Sequence, residues 1–338
     1  MSSSPPETGC EAHGSVTGAA DPFALEALQV GGPVSEHRCY YAIAGVTLQV
    51  ESELPFAATT FAEKFTAFEA PGPGPDTVVF HHQFEMPPAD LGTPGRCVYR
   101  RPPWAIHEAP WGWLYRDLPP AGVAGGERAI AVDAAHTRAR FFNGPGVRAG
   151  FARGGQPSLT LMPTDQILVA RLLADREAAF VHSCGIALDG EGLLFVGESG
   201  AGKSTAMSLF APFSEPLCDD RNIVRRWPGG FRVHGTWSHG SVPIASPASA
   251  PLRAVFFLEK ADGNAVTAVT DRAAAAQELL PRLVRPLMTR DWLEKTFDLV
   301  ATLVREVPCY RIAFDRGGGI VDAVRRRLAA DAPPRAGG

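Results

Sequence analysis

Leu193-Leu194-Phe195-Val196-Gly197-Glu198-Ser199-Gly200-Ala201-Gly202-Lys203-Ser204 carries more structural information than any other stretch of this chain. The apolar run Leu193–Val196, bounded by Gly192 and Gly197, has the length and flanks of a buried strand. The residues after it fit GxxxxGK[ST], and Lys203 to about Phe210 has helix-forming composition. A strand entering a glycine-rich loop that opens a helix is the setting a P-loop requires. Glycines at 197, 200 and 202 let the backbone curl so that successive N–H groups point inward at phosphate oxygens. The helix start adds its positive end. On this reading Gly197, Glu198, Ser199, Gly200, Ala201, Gly202, Lys203, Ser204 and Thr205 form the binding segment for ATP. Lys203 lies against the β- and γ-phosphates, and Ser204 offers its hydroxyl to Mg²⁺. The alternative is a glycine-rich turn that only joins strand to helix.

Upstream of the loop, Phe180–Leu188 is a second strand, separated by the turn Asp189-Gly190-Glu191-Gly192. Thr164 can cap a helix whose stripe is Ile167, Leu168, Leu172 and Leu173. Downstream, Pro216–Asp220, Asn222–Arg226, Phe231–Val233 and Arg253–Glu259 are predicted strands. Ala273–Val284 and Asp291–Glu306 are predicted helices, followed by a strand Tyr310–Phe314 and a helix Ile320–Ala329. This half is mixed α/β.

Between residues 38 and 160 the period changes to two. Val46–Glu51 alternates as a half-buried strand does, and Thr77–Phe80, Cys97–Tyr99, Ala105–His107, Trp113–Tyr115, Ala129–Val132 and Arg138–Phe142 repeat the pattern. Pro71–Pro75 and Ala121–Gly126 supply turns. The expectation is a mostly antiparallel β region crossed by a helix over Phe56–Phe68, with Phe61, Phe65 and Phe68 on one face. The domain reading is therefore a disordered tail over 1–35, holding a short helix near Phe23–Leu28, a β-rich domain over 36–160, a P-loop domain over 161–330 and a flexible tail over 331–338.

Composition removes several classes of function. A chain of 338 residues with 45% hydrophobic and 20% charged residues can bury an ordinary core. Its net charge of −4 gives no reason to expect nucleic acid or an anionic membrane as partner. No apolar run approaches the roughly 18–20 residues of a spanning helix, and Met1–Ala20 lacks the basic and apolar regions of a secretory signal. The six cysteines are far apart with no CxxC pair, as expected of reduced thiols in a cytoplasmic protein.

Phosphate binding leaves open what is done with the phosphate. Asp219-Asp220 ends an apolar run soon after the loop helix. One carboxylate can hold Mg²⁺ while the other accepts the proton of an attacking hydroxyl. An ordinary acidic turn is the other reading.

His182, Gly185-Ile186-Ala187-Leu188, the loop Gly197–Ser204 and Leu217-Cys218-Asp219-Asp220-Arg221 together resemble the catalytic domain of the HPr kinase/phosphorylase family, over about residues 165–260. That family has a histidine one strand before its P-loop, a GxSGxGKS loop and an Asp-Asp-Arg shortly after. The resemblance implies an α/β (α+β) P-loop domain of the HPr kinase / phosphoenolpyruvate carboxykinase type, here preceded by the β-rich region. It implies an ATP-dependent serine kinase with Asp219 as base, His182 beside the phosphate, Lys203 on the phosphates, and Ser204 and Asp220 at Mg²⁺. The acceptor expected is a hydroxyl of a peptide or small protein, with phosphorolysis and a homo-oligomeric state as further family properties. Thr205 stands where that family has Glu, and the N-terminal half does not resemble its N-terminal domain, so HPr is not the expected substrate. The competing function is a non-catalytic ATP-binding regulator or assembly factor.

Other features are weighed by their surroundings. His234 and His239 flank Trp237 in a Gly-bounded loop that reads either as a substrate or phosphate loop or as a plain surface loop, and two further ligands for zinc are missing. Arg253 could reach a phosphate or simply begin its strand. Gly317-Gly318-Gly319 reads as a turn, Arg325–Arg327 as the solvated face of the last helix, and Trp104, Trp111 and Trp113 as packing residues.

Overall fold

The alternating segments between residues 38 and 143 become the strands of one sheet. They are β1 (Arg38–Ile43), β2 (Val46–Ser52), β3 (Thr77–Gln83), β4 (Arg96–Arg101), β5 (Trp104–Ala109), β6 (Gly112–Asp117), β7 (Arg128–Asp133) and β8 (Arg138–Asn143). The structure, a computed structural model, describes residues 21–23, 30–87, 95–101, 104–118, 127–260, 263–286, 289–315 and 317–331. The helix expected at Phe23–Leu28, the turn Ala121–Gly126 and most of both tails lie outside these residues. The chain divides into two units, Met1–Leu172 with Arg285–Leu293, and Leu173–Val284 with Glu294–Gly338.

In the first unit the strand order is β1-β2-β3-β8-β7-β6-β5-β4. Pairing is antiparallel except at β2–β3 and β3–β8, which are parallel, so the sheet is mixed. Parallel neighbours need a long connection, and residues 53–76 supply it between β2 and β3. The helix expected over Phe56–Phe68 shrinks there to a 3₁₀ turn, Glu63–Phe68, which buries Phe65 and Phe68. The reason is that Ala57, Thr60 and Ala62 spend their backbone on other partners, Ala62 N–H donating to Gln156 O at 3.0 Å. An unexpected helix, α1 (Pro145–Arg153), buries Val147 and Phe151 against Phe84 and Leu161.

β2 departs from its expected half-burial: every residue in it is buried, including Thr47, Gln49 and Glu51. Its polar face is satisfied locally. Gln49 Nε2 donates to Glu51 Oε1 at 2.8 Å, Arg38 Nε donates to the same oxygen at 2.7 Å, and Gly31 N–H donates to Gln49 Oε1 at 2.9 Å. Residues 30–32, expected inside the tail, thus cover this strand, and Tyr40 Oη donates to Gly32 O at 2.6 Å. The first unit also extends past the expected boundary at 160/161. Asp165 accepts Thr160 N–H at 2.9 Å, and Arg171 pairs with Asp291 of the 285–293 segment. Arg171 lies in α2 (Gln166–Ala174), which begins just after Asp165, where Thr164 Oγ1 accepts Gln166 N–H at 3.2 Å.

The second unit is built on β9 (Ala178–Leu188), β10 (Glu191–Val196), β11 (Ser214–Cys218), β12 (Arg221–Trp227), β13 (Gly230–His234), β14 (Ser249–Lys260), β15 (Ala265–Ala268) and β16 (Cys309–Phe314). Its helices are α3 (Lys203–Phe210), α4 (Arg272–Leu279), α5 (Arg290–Glu306) and α6 (Ile320–Ala330), with α5 starting in the first unit. Strand β15 had no counterpart in the sequence reading. The order is β10-β9-β12-β13-β14-β16-β15, and β10 also pairs parallel with β14, so five strands close into a ring. Side-chain alternation sends Leu194, Val196, Val255 and Phe257 to one core with Leu279 and Leu303. Leu193, Phe195, Phe256 and Leu258 go to another with Met207, Phe210 and Val324. Burial on both faces is why these strands are continuously apolar. Because β10, β14 and β16 run parallel, their carboxyl ends share one edge, where the loop after β10 lies.

Candidate functional site

The loop after β10 takes backbone values that only glycine tolerates well: φ is +76° at Gly200 and +107° at Gly202. At Gly202 a β-carbon would also stand 3.1 Å from the Phe314 ring. Gly202 precedes α3, whose first turn receives no side-chain cap. Lys203, the first residue of that helix, folds back over the loop, its Nζ donating to Gly197 O and Glu198 O at 3.0 Å each. Burial pulls its ammonium below the ordinary lysine range; Asp220 opposes this, while Arg221 and Arg282 add to it.

β11 and β12 both pair with β9, so the Asp219-Asp220 link between them passes beside the middle of β9. His182 stands in register with Arg221, and its Nε2 is 2.9 Å from Asp220 Oδ1. Arg221 Nη1 is 2.8 Å from the same oxygen. Burial alone would raise the Asp220 carboxyl, but the His182 hydrogen bond and the charges of Arg221, His182 and Lys203 hold it below the usual carboxylate range. Asp219 is differently placed. It is 3% exposed, and its oxygens accept the N–H groups of Gly240 at 2.7 Å and Val242 at 2.9 Å.

These groups converge on a cavity of about 320 Å³. His182, Ser199, Gly200, Gly202, Lys203, Ser204, Thr205, Asp219 and Asp220, all singled out in the sequence, line it together with Gly240 and Ser241. Gly197, Glu198 and Ala201 instead line a second cavity of about 380 Å³, which shares Ser199 and Gly200 with the first and is lined on its other side by Phe257–Glu259, Glu278 and Arg282.

Residues 158–328 match the family described as "SynChlorMet cassette protein ScmC". The chain belongs to this family. No curated protein matches it. Among solved structures, the HPr(Ser) kinase/phosphatase from Coxiella burnetii is similar over 45% of this chain and 99% of that chain, at 14% identity and a TM-score of 0.27.

In this ScmC-family chain several remaining features are structural. His234 is buried and accepts Trp227 Nε1–H at 3.3 Å; burial, with Arg232 and Arg225 nearby, pulls it down to about 4. Arg253 donates to Leu328 O at 3.2 Å and does not line either cavity. Gly317–Gly319 form the turn into α6. Among the described residues no group of three or more His, Cys, Asp or Glu is arranged to hold a metal ion, and no helix is long and apolar enough to cross a membrane. The amides of Gly240 and Val242 and the Arg282 side chain had no signal in the sequence, because they reach their partners from 21, 23 and 84 residues away.

The surroundings suit a magnesium nucleotide. An uncapped helix start after left-handed glycines offers N–H groups to phosphate. Mg²⁺ carried by phosphates takes few protein ligands, and Ser204 with Asp220 in one cavity provides two oxygens.

Proposed function

We propose that this chain is an ATP- and Mg²⁺-dependent phosphotransferase of the HPr-kinase-like kind, acting on a hydroxyl, by our reading a serine, of a peptide or small protein in the cytoplasm. The observation that carries this reading is one cavity lined jointly by Lys203, Ser204, His182, Asp219 and Asp220. Bound Mg²⁺·ATP would supply the activated phosphoryl group. The glycine loop amides and Lys203 would hold and neutralise phosphate charge, Ser204 and Asp220 would hold the metal, His182 would orient Asp220, and Asp219 would take the acceptor's proton on a carboxylate oxygen. Such chemistry depends chiefly on positioning and charge. Phosphorolysis and a homo-oligomeric state belong to the same reading.

The second reading is a nucleotide-binding regulator or assembly factor. It is favoured by the burial of Asp219 with an amide donor on each oxygen, and by Thr205 in place of a carboxylate. Two measurements separate the readings. Calorimetry should show Mg²⁺·ATP binding that weakens at least about tenfold in Lys203→Ala, as loss of a charge-assisted contact requires. Radiolabelled ATP with lysate or a serine-peptide library should yield labelled product. Binding without any transfer, hydrolysis or reverse synthesis of ATP leaves the regulator; unchanged affinity in folded Lys203→Ala removes both.

A further inference from the structure

We propose, resting on the nucleotide reading above, that Arg282 is a ligand for the terminal phosphate and that its ion-pair partner Glu198 competes with that phosphate for the guanidinium. Arg282 ends the 3₁₀ turn Leu280–Arg282 that follows α4. The backbone after it is tied to the sheet: Leu283 bridges to Val181 of β9, and Val284 N–H donates to Phe180 O at 2.9 Å. The guanidinium is thus carried by a fixed point, and it reaches back to the loop, where Nη2 lies 3.0 Å from Glu198 Oε1. It lines the second cavity together with Gly197–Ala201.

Three features make this contact more than an incidental ion pair. Glu198 places a carboxylate on a loop whose glycine conformation and following helix favour anions, and its own carbonyl holds Lys203 Nζ. The pair is loosely held: the side chains are 26% and 78% exposed, and solvent screens exposed pairs of that kind. A terminal phosphate, which carries more charge than a single carboxylate, can therefore displace it, since a guanidinium also binds phosphate through two parallel N–H bonds. The position within the loop selects which phosphate. Loop amides cradle the inner phosphates and the lysine reaches the outer ones. Arg282 joins at Glu198, near the start of the loop, and its cavity shares Ser199 and Gly200 with the one lined by Lys203, Asp219 and Asp220, where the terminal group would react on this reading. Its charge already acts on Lys203.

The test compares Mg²⁺·ATP with Mg²⁺·ADP by calorimetry on the full chain. Arg282→Ala should weaken ATP about tenfold or more, the range of a lost charge-assisted contact, while ADP stays within about twofold. Glu198→Gln, a change at an exposed side chain that keeps the loop length, should raise the preference for ATP over ADP by up to about fivefold. Arg282→Lys, which keeps the charge but loses the fork, should fall between wild type and Arg282→Ala. Equal weakening of both nucleotides in Arg282→Ala, or an unchanged ATP/ADP ratio in both Arg282→Ala and Glu198→Gln, overturns the assignment of Arg282 alone. Wild type that binds neither nucleotide overturns the nucleotide reading beneath it.

Discussion

Asp219 and Asp220 are adjacent in the chain yet occupy different chemical surroundings. Asp219 is buried with an amide donor on each oxygen; Asp220 has one oxygen shared by His182 and Arg221 and lies in the field of Lys203. Asparagine at 219 cannot take up a proton, and its amide would set N–H against N–H at either Gly240 or Val242. On the phosphotransferase reading, Asp219→Asn should lower transfer by about 10²–10⁴, the contribution of a positioned base, with little loss of ATP affinity. Asp220→Asn should instead raise the Mg²⁺ concentration needed for half-maximal transfer. Initial rates measured across a Mg²⁺ series distinguish the two. If Asp220→Asn abolishes transfer at saturating Mg²⁺ while Asp219→Asn costs only stability, the roles are exchanged.

The elements that bring this pair to the loop meet at Gly185 and Asn222. Strand β9 is long enough to pair with β12 along its first half and with β10 and β11 along its second. At the change of partner, fully buried Asn222 donates through Nδ2 to Ser183 O at 2.7 Å and Cys218 O at 3.1 Å, tying three strands together. There is no room for a larger residue opposite it. A β-carbon at Gly185 would lie 2.3 Å from Asn222 Oδ1. Gly185→Ala should therefore destabilise the protein by about 1–3 kcal/mol, as overpacked cores do, and should displace the Asp219-Asp220 link. Urea unfolding with the slope compared to wild type checks it; an unchanged midpoint means that the junction yields without cost.

Across the molecule, each unit contains a histidine kept neutral by burial, and this sets an acid limit on stability. In the first unit His82 is fully enclosed, and burial pulls it down to about 3. Its Nε2–H donates to Leu159 O at 2.9 Å, while Nδ1 faces Asn143 Nδ2 at 3.5 Å, so a second proton would oppose an existing N–H. In the second unit His234 is pulled down to about 4. A folded-state value below the unfolded one, near 6.5, means that the unfolded chain takes up protons first as the pH falls. The stabilisation is complete above about pH 6.5 and is lost progressively between there and pH 3–4. Melting temperatures should thus drop by several degrees from pH 7 to pH 5, and His82→Gln should reduce that difference. An equal drop in the variant removes His82 from the account. The strand–loop–helix at Leu193–Phe210 was legible in the sequence because its cause is local: contiguous apolar residues, left-handed glycines and a helix start lie within a few residues of one another. Most strands were legible for the same reason, since the two-residue period is a property of neighbours. The period tells which side chains share a face, but not what covers that face. Residues 30–32 and Arg38 closing over the polar side of β2, and the mixed pairing around β3, therefore had to come from the tertiary structure. So did the Gly240 and Val242 amides at Asp219 and the Arg282 guanidinium at Glu198, because strand pairing, rather than any local preference, joins positions that far apart.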